Sequence, residues 1–90
     1  MEILSEGKIE GEVILISSKD DLNKDIKGKI IVSKKITLDM LHKLYNVKGI
    51  IVEEGTKLSH VALFIREINI PYVRIDSAMK KYKSGEIIKI

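Results

Sequence analysis

The 90-residue chain contains no cysteine and no tryptophan. Without thiols it can form no disulfide, no thiolate metal site and no cysteine nucleophile, a composition suited to a reducing, cytoplasmic setting. A single proline and six scattered glycines leave nothing that reads as an interdomain linker. One Phe and three Tyr are too few to build the aromatic platform on which single-stranded nucleic acids stack. Apolar runs last only a handful of residues, so no membrane span is expected. The opening MEILSEGKIEG carries acidic residues and lacks the long apolar stretch of a signal peptide. No G-x-x-x-x-G-K-[ST] loop is present to cradle a nucleotide.

What is present describes an ordinary folded domain. Hydrophobic residues make up 44% of the chain and charged residues 32%. The length suits one domain, residues 1–90, with a shallow core and little room for a deep, self-contained active site. Chemistry carried out here would draw on a partner. The net charge of +3, from 16 Lys and Arg against 13 Asp and Glu, is mildly basic. Its local clusters, Lys34-Lys35 and Lys80-Lys81-Lys83, read as solvated surface, so neither nucleic acid nor membrane is an expected partner.

Patterning predicts strands at 12–17 (EVILIS), 29–33 (KIIVS), 47–52 (VKGIIV), 72–75 and 86–90. Between them fall a short turn capped by Ser18 and a helix from Leu38 to about Asn46 behind Thr37. A second helix runs from about His60 to Ile68, ended by Asn69 and Pro71, and a short one covers 78–82. Strands alternating with helical segments predict an α/β domain: a mixed sheet with parallel pairs, flanked by helices.

One stretch stands apart, GTKLSHVALFIREINIPYV at 55–73. With Ser59 as N-cap, His60 lies in the first turn of a helix whose amides point outward and favour an anion. The positive end of a helix dipole also favours neutral imidazole, the form a nucleophile needs. At 100° per residue Leu58, Val61, Ala62, Ile65 and Ile68 share one face, the expected core stripe. His60 then falls beside Leu63 and Phe64, which would form an exposed apolar surface for docking another domain. His42, between Leu41 and Lys43, reads as a plain helix residue.

The segment GIIVEEGTKLSHVALFIREINIPYV resembles the phosphohistidine mobile (swivelling) domain of phosphoenolpyruvate-utilising enzymes, among them phosphoenolpyruvate synthase, pyruvate phosphate dikinase and enzyme I of the sugar phosphotransferase system. The matches are the strand GIIV, Gly55, Ser59-His60, Ala62, Arg66-Glu67, and Ile70-Pro71 with Val73. EGKIEGEVILI and GKIIVSKKITLDMLHKLYNVKGIIV extend the likeness over nearly the whole chain. Three positions depart from the family pattern: Thr56 stands where a small residue is usual, Leu58 where Thr or Asn is, and Val61 where the residue is small.

The resemblance implies a compact β/β/α swivelling domain acting as a stand-alone phosphoryl carrier. His60 would be the phosphorylated residue, Ser59 and Gly55 the phosphate-binding positions, and Leu63 and Phe64 the docking surface. A nucleotide-binding or phosphoenolpyruvate-binding protein would load and unload it in trans, and the chain itself would hold no cofactor or metal. The departures at Thr56 and Leu58 favour the competing reading, a swivelling-fold module for assembly or regulation that has lost phosphotransfer.

Overall fold

The structure, a computed structural model, describes residues 1–90. Four strands run parallel at its centre: β2 (Glu10–Ile16), β3 (Ile30–Ser33), β4 (Gly49–Val52) and β5 (Tyr72–Arg74). Two antiparallel strands close the edges. β1 (Glu2–Ser5) pairs with β5 and β6 (Ile87–Lys89) with β2, giving one six-stranded sheet in the order β1-β5-β4-β3-β2-β6. The helices are α1 (His60–Glu67) and α2 (Ala78–Lys81), and two 3₁₀ segments cover Lys19–Asn23 and Leu38–Lys43. The expected α/β class and mixed sheet are therefore observed.

The runs IIVS and GIIV are continuously apolar because the sheet is covered on both faces. Successive side chains alternate between two cores. Ile31, Ile50, Val52 and Tyr72 join a 16-residue cluster with residues of the three crossovers, among them Leu22, Met40, Leu41, Ala62 and Ile65. Ile30, Val32, Ile51 and Val73 point the other way into an 8-residue cluster with Ala78 of α2 and Ile88 of β6. All three connections between parallel strands thus pack on one face, as crossovers of one hand require.

Two sequence expectations are corrected. The segment after Thr37 is 3₁₀ rather than α: Met40 N–H donates to the Thr37 carbonyl at 3.0 Å and Leu44 N–H to the Leu41 carbonyl at 3.1 Å. Leu41, Leu44 and Val47 recur every third residue and are all buried. Leu44 and Val47 lie beyond the 3₁₀ segment, and the three-residue bonds from Leu44 N–H to the Leu41 carbonyl and from Val47 N–H to the Leu44 carbonyl carry that spacing on toward the core. The second correction is β1, which was not expected. Four residues carry too little pattern to be read as a strand, and the partner that makes EILS one, β5, lies some 70 positions along the chain at Tyr72–Arg74.

Where the chain turns from β1 toward β2, Gly7 adopts φ 146°, and a Cβ there would lie 2.7 Å from Cγ of Pro71. The proline that ends the α1 connection therefore packs against the one residue type that leaves it space.

Candidate functional site

The carboxyl ends of the parallel strands lie along one edge of the sheet, and the loop that follows β4 carries residues 53–59 into α1. Ser59 is extended (φ −73°, ψ 156°), and its Oγ accepts from Ala62 N–H at 3.0 Å, so it is the N-cap expected of it. His60 opens the helix and is exposed. The amides of His60 and Val61 make no hydrogen bond within the protein, leaving two outward donors beside the imidazole. The other end of α1 closes with Asn69 in the left-handed region (φ 59°), Asn69 N–H on the Arg66 carbonyl and Ile70 N–H on the Ile65 carbonyl. This Schellman arrangement brings Ile70 and Ile65 into the same core and fixes the helix at its far end.

The loop before His60 is held from three directions. The Gly55 carbonyl accepts from Arg74 Nη1 at 3.2 Å, the Thr56 carbonyl from Ser59 Oγ at 3.1 Å, and the Lys57 carbonyl from Arg66 Nη2 at 2.9 Å. Arg74 is itself tied to the sheet edge through Glu2, 2.9 Å away. Below the loop the Tyr72 ring is 1% exposed, and the phenol reaches a cleft of about 250 Å³ shared with Gly55, Thr56, Ser59 and Lys35. Sequence reasoning left Arg74 and Tyr72 out of the site. Their link to the loop depends on β5 lying beside β4, which no local pattern records.

Gly55 is needed for close approach rather than for an unusual φ. A Cβ there would stand 2.8 Å from the Tyr72 hydroxyl and 3.1 Å from Leu4 Cδ1, both anchored in the core. Gly55→Ala is expected to displace the loop and to cost about 1–3 kcal/mol, as overpacking typically does. Urea unfolding of the variant beside the wild type measures it; an unchanged midpoint would show that the loop shifts freely. Thr56, by contrast, is not in the left-handed region, so this backbone accepts a branched residue where the family pattern has a small one.

Burial raises the Tyr72 phenol to about 12 from 10.0. A folded-state value above the unfolded one means that its contribution to stability is intact below pH 10 and drains away as the pH climbs toward 12. Tyr82 shifts the same way, through burial and then the nearby Glu86 carboxylate. The domain is therefore expected to keep its urea midpoint up to about pH 10 and lose stability above it, with Tyr72→Phe flattening that decline.

The core stripe of α1 differs from the expected one. Ala62 and Ile65 are buried and Val61, Phe64 and Ile68 pack against the core, but Leu58 is 93% exposed. Leu58 precedes the N-cap, in a turn closed by the Ser59 hydroxyl, so helical periodicity does not apply to it. Of the two residues expected to flank His60, Leu63 is 50% exposed, whereas Phe64 is half-buried with its ring edge-on to Tyr45 at 5.7 Å. Leu58 and Leu63 are thus the large exposed apolar side chains nearest His60 in the chain, with Phe64 half-buried.

Such an α/β fold, with a histidine opening the helix after its third parallel strand, defines a class. Residues 25–90 match the family described as the mobile domain of PEP-utilising enzymes, and the chain belongs to it. It is 31% identical over 81 residues to a probable phosphoenolpyruvate synthase of Pyrococcus horikoshii, covering 89% of this chain and 10% of that protein. A rifampicin phosphotransferase of Bacillus cereus is 28% identical over 97% of this chain, again spanning 10% of the relative. The chain thus corresponds to about a tenth of the length of these relatives. Among solved structures, aconitase X of Thermococcus kodakaraensis in its holo-form superposes with a TM-score of 0.68 at 24% identity, over 99% of this chain and 87% of that one. That likeness concerns the fold alone. No helix is long and apolar enough to cross a membrane.

Proposed function

We propose that this chain is a phosphoryl carrier, phosphorylated on His60, that passes the group between partner active sites handling phosphoenolpyruvate, pyruvate or ATP. The observation that carries the reading is the exposed imidazole of His60 standing next to the unpaired amides of His60 and Val61 at the mouth of α1. A ring nitrogen would attack phosphorus with its lone pair. The bond from phosphorus to the donor's bridging oxygen would break, and its electrons would leave with that oxygen. The proton on the second ring nitrogen can pass to solvent. The new phosphoryl oxygens would meet helix amides and the positive end of the dipole. Ser59 serves this arrangement as the cap, since its hydroxyl hydrogen is donated to the Thr56 carbonyl, and Gly55 serves it by letting the loop lie flat on Tyr72.

The site is open on its outer side, so the donor, any nucleotide and any divalent ion would belong to the partners. Membership of a family whose relatives are about ten times longer supports partner domains or proteins of that kind, acting on this chain in the cytoplasm. Leu58 and Leu63 would form the docking surface around the histidine, with Phe64 supporting it from beneath. The experiment that tests the reading is the appearance of acid-labile, base-stable phosphate after incubation in the native lysate with phosphoenolpyruvate or with ATP. A second reading, a binding module without phosphotransfer, draws on the Ser59 hydroxyl being spent within the loop. It predicts no label from either donor while other phosphohistidine proteins in the lysate do label.

A further inference from the structure

A second pocket of about 250 Å³ opens where β2 and β3 end, on the same sheet edge as the His60 loop. Ser17, Ser18, Lys19, Lys34, Lys35 and Thr37 line it, its one hydrophobic residue is Met40, and no acidic side chain faces it. Lys35 lines this pocket and the cleft beneath Gly55 and Ser59, so the two adjoin.

Its hydrogen-bonding groups are set up for an acceptor. The amides of Ser17 and Ser18 are taken by the Asp21 carboxylate at 2.8 and 3.2 Å, and these bonds hold that carboxyl below its usual range. The hydroxyl hydrogens of both serines are donated to nothing within the protein, which leaves them for a ligand. Thr37 Oγ1 donates to Asp39. Lys19 Nζ lies 3.5 Å from Asp39 Oδ2 and Lys34 Nζ 3.7 Å from Glu54 Oε2, while Lys35 has no carboxylate partner. Those two ion pairs are more than half exposed for three of their four side chains and half exposed for Lys19, so a ligand of higher charge can draw the ammonium groups inward. Three lysines and two serines line one hollow, Lys35 without a carboxylate partner and both serine hydroxyls with a hydrogen to donate, a set that suits a compact dianion with several acceptor oxygens.

We propose that this pocket binds a phosphate group, free or carried on a small organic molecule. It does not depend on His60, and the space exceeds what one phosphate fills, leaving room for a short carbon chain beyond the anion.

The test is an amide-resolved NMR titration of the full chain at low ionic strength, with inorganic phosphate in one arm and glycerol 3-phosphate in the other. Saturable shifts confined to residues 17–19 and 33–37 are expected, with Lys35→Gln weakening binding by about tenfold, the loss of one close charge contact. Lys83→Gln, in the other lysine cluster and outside the pocket's lining, and His60→Ala are expected to leave the titration unchanged. The latter keeps this result separate from the fate of the carrier reading. A preference for glycerol 3-phosphate would assign the site to an esterified phosphate, and equal binding to the free ion. Shifts that rise linearly without saturating, that spread equally to Lys80–Lys83, or that appear only with an RNA oligonucleotide would overturn the proposal. So would an undiminished titration of both Lys35→Gln and Ser17→Ala.

Discussion

His60→Ala is expected to keep the fold and lose all acid-labile phosphate. The side chain is exposed and makes no hydrogen bond or ion pair with the rest of the protein, so its removal breaks nothing that folding built. Alanine is also the better helix former, and exposed substitutions of this kind stay within about 0.5 kcal/mol. The chemistry has no such tolerance, because a methyl group cannot hold a phosphoryl group. The chain has two histidines, and His42, exposed at the end of the second 3₁₀ segment, is the internal control. His42→Ala should label like the wild type. Labelling of the His60→Ala protein at the wild-type level would place the phosphate elsewhere and end the carrier reading. A difference in the label between phosphoenolpyruvate and ATP would identify which kind of partner loads it.

How far this site was legible from sequence differs from residue to residue. Ser59, His60 and Asn69 were legible because capping chemistry is local: the cap and its amide are three residues apart, and the left-handed residue follows the helix directly. The strands IIVS and GIIV were legible because burial on both faces leaves no polar positions to obscure the run. Leu58 was misplaced for a definite reason. A 3.6-residue period was continued one step past the cap, into a turn whose direction is set by Ser59 and Thr56. Arg74 and Tyr72 were invisible because strand order decides what lies under the loop, and order in a parallel sheet is a property of the whole chain. The 3₁₀ form of Leu38–Lys43 lies between these cases. Its three-residue apolar spacing is in the sequence, but weak beside the helix-start signal of Thr37 and Asp39.

Ile65→Ala is expected to be the most damaging single change near the site. Ile65 is fully buried in the larger core cluster and lies five residues beyond His60, on the face that docks α1 against the sheet. Truncation of such a side chain costs about 2–5 kcal/mol, the spread reflecting how far the cavity collapses. A domain of this size has only about 5–15 kcal/mol in total. At about 4–8 °C per kcal/mol, the melting temperature should fall by roughly 8–40 °C, readable by circular dichroism. Leu63→Ala, two residues earlier and half exposed, should cost less than about 0.5 kcal/mol. The pair separates docking of the helix from mere helix content, since both replacements raise helix propensity. If the two variants melted together, α1 would not be anchored through Ile65. If they separate as expected, amide exchange in 60–67 should rise first in Ile65→Ala, because an eight-residue helix has little stability of its own and the His60 loop depends on its packing. Phosphate uptake at His60 should then fall in that variant in step with the fraction of molecules whose helix is closed, whereas in Leu63→Ala it should fall with the helix still closed, because that residue belongs to the proposed docking surface.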